Sequence, residues 1–168
     1  MSKPRTGYGI TMKSIVDAVS LIDVVLAEAT MTRGNASNFT PGSADVSIIS
    51  KGTLPMRGAD GEPRVLLSSD SYVTELTNAD EETIAKIEFT FIAAFHLEDD
   101  FEPAAEEIDA FAKSTGRLVL RPYARELIHQ TCMRMGIPSY ILEVLQFKGV
   151  VLSDGVEDVP VEVSTHGA

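Results

Sequence analysis

Few residues in this chain have the types and spacing for chemistry. His96, Glu98 and Asp99 carry donor atoms for a divalent cation, but they match no ligand spacing that would bring three donors to one point. The serines near His96 and His129 lack the strand–turn–helix setting that presents a nucleophile. Gly7 and Gly9 lack the spacing of a phosphate-cradling loop. Carboxylate pairs abound, but with 25 Asp and Glu against 14 Lys and Arg an acidic run reads as a solvated face. Cys132 is the single cysteine, which excludes an internal disulfide and a cysteine metal cluster. Its place in an apolar helical pattern reads as a small core residue rather than a reactive thiol. His129 reads as a polar-face residue of the same helix. Arg125 and Glu126 read as pairing partners within the helix or at an interface. This inventory supports no enzyme and implies no cofactor and no metal.

The elements that must position these residues centre on the stretch 116–147. Leu118, Val119 and Leu120 read as a brief strand. Pro122 fixes φ and lacks an N–H, which suits the first turn of a helix running to about Met135. Gly136 is a left-handed stop and Pro138 forbids continuation. Ala124, Leu127, Ile128, Thr131 and Met135 share one helical face, while Tyr123, Glu126, Gln130 and Arg134 share another. Two faces ask for two neighbours, so the second stripe is a candidate oligomer interface.

The same residues carry a resemblance. Leu120-Arg121-Pro122-Tyr123-Ala124-Arg125-Glu126, followed by Pro138 and Phe147 at matching distances, resembles the signature of the SecB family of export chaperones. There a phenylalanine-proline-tyrosine-alanine-arginine-glutamate run opens the long helix. A glycine-x-phenylalanine-proline stop and a valine-asparagine-phenylalanine end follow. Here Arg121 replaces the first aromatic, Ile137 the second, and Gln146 the asparagine. With the upstream strands, the similarity covers roughly residues 20–147.

Composition sets the outer bounds. A chain of 168 residues with 44% hydrophobic content can build one domain with a real core. A net charge of −11 and a pI near 4.6 argue against nucleic acid and anionic membrane surfaces. MSKPRTGYGI is not followed by an unbroken apolar region, so no signal peptide is read. The window Ile15–Ala29 is broken by Asp17, Asp23 and Glu28 and is too short to span a membrane. The expected compartment is therefore the cytoplasm.

In chain order, residues 1–10 read as loose. Thr11 can cap a helix to about Ser20 through Met12, Ile15, Val16 and Val19. A strand follows to about Thr32, with Ile22, Val24 and Leu26 on one side and Asp23, Val25, Ala27, Ala29 and Met31 on the other. A helix unbroken to Ala29 is the competing reading. Arg33–Ser43 is a loop and Ala44–Pro55 a second strand. Met56–Pro63 is a turn, and Arg64–Thr77 is a third strand with a bend or bulge expected in its Ser-Ser-Asp-Ser centre. Thr83–Leu97 is the clearest strand: Ala85, Ile87, Phe89, Phe91, Ala93, Phe95 and Leu97 alternate with Lys86, Glu88, Thr90 and His96. Four strands in succession imply an antiparallel meander or a close variant. Glu98–Glu107 reads as the acidic start of a short helix, with Pro103 in its first turn, using Ile108, Phe111 and Ala112 and ending by Gly116. One domain over 1–148 is expected, with an extended or flexible tail at 149–168.

The resemblance implies an α+β fold: a four-stranded antiparallel sheet with helices packed on one face. It implies a homotetramer, a dimer of dimers with the long helices between sheets. The implied function is ATP-independent holding of unfolded polypeptides for export, with client grooves at Tyr123, Leu127, Tyr140, Ile141, Leu142, Leu145 and Phe147. Each of these also reads as plain core. Handing clients to the SecA motor would use acids on the outer sheet face, and Glu28 and Glu88 fall on such positions. Lys86 stands where the family has an apolar contact, and no second long helix follows Phe147. Divergent members that guard an antitoxin in toxin–antitoxin–chaperone systems are equally similar. An oligomeric scaffold without chaperone activity is the reading of another class.

Overall fold

The computed structural model describes residues 14–55 and 64–140. Strands β1 (Val19–Arg33), β2 (Ser43–Thr53), β3 (Arg64–Thr77) and β4 (Thr83–Leu97) form one antiparallel sheet in the order β1-β4-β3-β2. Helix α1 (Ala105–Phe111), a π turn (Ala112–Gly116) and helix α2 (Arg117–Arg134) follow without a break. The loose residues 1–10, the cap at Thr11, the turn Met56–Pro63 and the tail 149–168 lie outside the described residues.

The period-two pattern of β4 decides which face is covered. Ala85, Ile87, Phe89, Phe91, Ala93, Phe95 and Leu97 are all buried, and so are Leu66, Ser68, Asp70, Tyr72, Thr74 and Leu76 of β3 beside them. The helices pack on this face alone. Tyr72 stacks on Phe89 at 4.8 Å, and Phe95 meets Phe111 of α1 edge-on at 5.0 Å. Burying each such ring contributes about 1.5–3 kcal/mol.

The sheet is a variant of the meander. β2, β3 and β4 are joined in succession, but β1 crosses to pair with β4, so β1 and β2 are the two edges. The crossover loop is pinned at both ends: the Gly34 N–H donates to Ile84 O and the Gly42 N–H to Thr77 O. Between them the Ser37 hydroxyl and N–H both donate to Glu82 Oε2, and Asn78 Nδ2 donates to Asn38 O. The Arg33 guanidinium lies 3.8 Å over the Phe39 ring.

Five expectations are corrected. The predicted helix before β1 shrinks to a 3-10 turn, Ile15–Ala18, because pairing of Val19 with Leu97 already draws the backbone into the sheet. β1 carries two register shifts, at Leu21/Asp23 and Leu26/Glu28. Each bulge flips the alternation, so Val24, Leu26, Ala29 and Met31 share the helix-side face instead of being split. The bulge expected in the centre of β3 does not occur; its register runs on unbroken through Ser68–Ser71. Pro103 precedes α1 rather than entering it, and Glu107 Oε2 accepts from the Ala104 N–H to cap that helix.

The fifth correction is the largest. Leu118–Leu120 is not a strand and Gly116 is not a stop. Gly116 is helical (φ −58, ψ −50), and α2 starts at Arg117 with Pro122 inside it. Leu120 is buried, Val119 half-buried and Leu118 exposed, as three successive helical residues pointing different ways must be. Pro122 therefore leaves the Leu118 carbonyl without its helical donor. The downstream stop is as expected: Gly136 has φ +67, and Ile137 N–H donates to Cys132 O.

Gly116 is needed for closeness rather than freedom. A Cβ there would lie 2.0 Å from Ser68 Oγ and 2.8 Å from Ser68 Cβ. Gly116→Ala is expected to cost about 1–3 kcal/mol in urea unfolding. Adding Ser68→Gly is expected to recover much of that loss, and purely additive effects would refute the contact. At the crossover loop, hydrogen bonds from Ser37 and Asn78 hold the Glu82 carboxyl below its usual range. That stabilisation is present above the ordinary carboxylate pKa and is lost as pH falls through the lowered value. The difference in thermal midpoint between wild type and Glu82→Gln should thus be widest near neutrality and close in acid. A pH-independent difference would exclude the clamp.

Candidate functional site

On the helix side, the edge strand β1 is only partly covered. Leu26 pairs across the sheet with Phe91, whose ring lies 6.0 Å from that of Tyr123 on α2. Met31 lies further along the same face, and Thr131 Oγ1 of α2 sits 3.4 Å from its sulfur. Leu21, Leu26, Met31 and Tyr123 are each 40–48% exposed. They form an apolar seam between β1 and α2, against an edge whose strand has a partner on one side only.

Of the predicted groove residues, Tyr123 opens onto this seam. Leu127 and Tyr140 are half-buried and pack against the core. Ile141, Leu142, Leu145 and Phe147 lie outside the described residues. The predicted interface stripe is exposed along its length, from Tyr123 through Glu126 and Gln130 to Arg134. Gln130 Nε2 donates to Glu126 Oε1 at 2.7 Å, a one-turn pair. Sequence reading missed Leu21, Leu26 and Met31 as a set. They sit five residues apart, a spacing that belongs to neither strand nor helix and arises only through the two bulges.

The opposite face of the sheet holds the two predicted acids. Glu28 and Glu88 both point outward and line a shallow depression of about 300 Å³ with Thr30, Ser71, Val73 and Thr90. Thr90 Oγ1 donates to Glu28 Oε1 at 3.1 Å and lies 2.9 Å from Ser71 Oγ. Lys86 Nζ pairs with Glu88 Oε1 at 3.0 Å, both ends nearly half exposed. Screening makes such a pair worth little to stability, but it halves the acidic character of this end of the face.

Under the start of α2 lies a polar cluster that periodicity does not announce. Asp70 is fully buried and accepts from the Ser50 hydroxyl and from Tyr72 Oη at 3.2 Å. Arg117 Nε and Nη2 reach Ser50 Oγ at 3.1 and 2.9 Å. Burial pushes the Asp70 carboxyl above its usual range, and burial with the Asp70 charge pushes the Tyr72 phenol up. Cys132 is buried on the inner face of α2, and burial raises its thiol as well. His129, half-buried, lies 2.5 Å from Ser139 Oγ and ties the segment after Gly136 back to the helix. The acidic stretch after β4 is held by Arg64, which donates to Phe101 O at 2.6 Å and pairs with Glu102 at 3.1 Å. Among the described residues no three His, Cys, Asp or Glu side chains gather as a metal ion would need. No described helix is long and apolar enough to cross a membrane.

No family model matches the chain. Two curated SecB-like chaperones, from two strains of Mycobacterium tuberculosis, are each 37% identical to it over 82 residues. That match covers 46% of this chain, and the chain spans about half (45%) of the relatives' length. In fold, it is similar to the solved Mycobacterium tuberculosis SecB-like chaperone Rv1957, which is in complex with a ChAD peptide from the HigA1 antitoxin. The TM-score is 0.64 at 23% identity, over 78% of this chain and 90% of the other. A protein of unknown function from Streptococcus agalactiae shares the fold at TM-score 0.53 and 14% identity, over 75% of this chain and 97% of its own. The chain is thus similar to SecB-like chaperones in sequence over 82 residues and in the fold of its sheet and long helix.

Proposed function

We propose that this protein is an ATP-independent holding chaperone that binds an extended, unfolded polypeptide, and that its client is an antitoxin segment. The observation that carries this reading is the exposed apolar seam Leu21–Leu26–Met31–Tyr123 on a chain with SecB-like relatives. An unfolded segment exposes apolar side chains, and burying each against such a seam contributes about 1.5–3 kcal/mol. Holding a client this way needs no covalent chemistry and no cofactor. The antitoxin client is favoured over general export because the structural neighbour of the same fold carries an antitoxin peptide. The assembly in this reading is a cytoplasmic homotetramer, a dimer of dimers built through the Glu126–Gln130–Arg134 part of the α2 stripe, which leaves Tyr123 to the client seam. Several seams per assembly then act together through effective concentration.

Adding the protein without ATP to a chemically unfolded client is expected to suppress light scattering near one assembly per client. Leu26→Asp and Tyr123→Asp are expected to weaken binding of an extended apolar peptide by roughly ten-fold or more while circular dichroism stays unchanged. Full suppression by the variants would move the client elsewhere. A folded, oligomeric parent that binds neither unfolded protein nor an antitoxin peptide would instead be a scaffold.

Export is the second reading, favoured by one observation: Glu28 and Glu88 lie on the same outward face. Under it, Glu88→Lys is expected to weaken SecA binding and leave client holding intact. No SecA binding by the parent, or no change in the variant, removes this reading.

A further inference from the structure

Asp70 is a fully buried carboxylate that the holding reading does not use. An ionised carboxylate offers about four acceptor sites, and here two neutral hydroxyls, of Ser50 and Tyr72, donate to it. Buried beside it on the same strand face, the Ser68 and Thr74 hydroxyls have no hydrogen-bond partner among the described residues. Arg117 reaches the carboxylate through the Ser50 hydroxyl, as a relay from α2 to the edge strand β2. The charged and titratable groups facing Asp70 are Arg117 and Arg121 from α2 and Tyr72 from its own strand. Ser50 faces it from β2, and its cross-strand partner on β4, Phe91, is apolar. Arg117 is also the first residue after the π turn, where helical hydrogen bonding changes step.

We propose that Asp70, Ser50 and Arg117 form a protonation-controlled latch that seats the first half of α2 on the β2–β3 hairpin. The sign follows from burial. With α2 seated, Asp70 is desolvated and its neutral form is favoured; with α2 lifted, water reaches the carboxylate and its pKa returns toward the ordinary value of 3.8. Protonation thus favours the seated helix. As pH rises from that ordinary value through the raised one, ionisation loosens the latch. At neutral pH the Arg117 relay and the positive charge of Arg121 offset part of the burial cost, so the helix is held yet poised to open. The device is independent of which client, if any, the protein holds.

Native-state hydrogen exchange of the full chain, corrected for the intrinsic rate, tests it from about pH 3.5, below the ordinary carboxylate value, to about pH 8. The opening of α2 amides near Arg117–Ala124 is expected to become several-fold more frequent with rising pH, while β4 amides stay level. In Asp70→Asn the α2 amides should lose that dependence and stay protected. Should that variant fail to fold, Arg117→Gln serves instead: its α2 opening should rise more at high pH than at low pH. A pH-independent α2 opening in the wild type overturns the latch. So does an equal change in α2 and β4, or an unchanged pH dependence in Asp70→Asn.

Discussion

The distance between helix and sheet at Gly116 constrains much of the rest. The helical backbone comes so close to β3 there that no side chain fits, and Ser68 opposite it is small. From that contact the other placements follow. Phe111, a turn earlier, drops onto Phe95. Arg117, one residue later, reaches β2. Leu120, Ala124 and Ile128 then lie along the buried rows of β3 and β4. The π turn over Ala112–Gly116 re-phases α1 against α2, so both helices keep an apolar side on one sheet.

The two edges of the sheet are treated differently. β2 is overlaid by α1, with Gly52 packed against Ile108. β1 is long and bulged twice, and exposes Leu21, Leu26 and Met31 toward α2. A bulged edge is poorly matched to a flat partner strand, yet its apolar side chains remain open to another chain. The outer face, by contrast, is dressed with Glu28, Glu88, Thr90 and Ser71. One sheet thus presents an apolar seam on the helix side and a polar surface on the other, which suits two distinct kinds of contact.

The interior is not built for stability alone. Asp70, Ser68 and Thr74 occupy the helix-facing side of β3, where apolar residues would bury without desolvation cost. Hydroxyls and a guanidinium relay offset part of that cost. The Tyr72–Phe89 and Phe95–Phe111 ring contacts flank this polar row on the same face.

Local pattern was enough for β3 and β4, whose bounds were readable because burial on one face imposes period two along most of their length, the register shift at Leu76/Thr77 aside. The Gly136 stop was legible for a similar reason, since left-handed backbone favours glycine. The Pro-Tyr-Ala-Arg-Glu run and the outward Glu88 were also readable, as both depend on near neighbours in the chain. Tertiary structure alone decided the rest. The crossover of β1 to β4 depends on which edge is free. The seam depends on two bulges, each a single residue slipped against a distant strand. Leu118–Leu120 reads as a strand locally and is helix in the fold, with Leu120 buried, Val119 half-buried against the core and Leu118 exposed. Gly116 reads as a stop and is a contact, because the atom that excludes a side chain there belongs to Ser68, 48 positions away in the sequence.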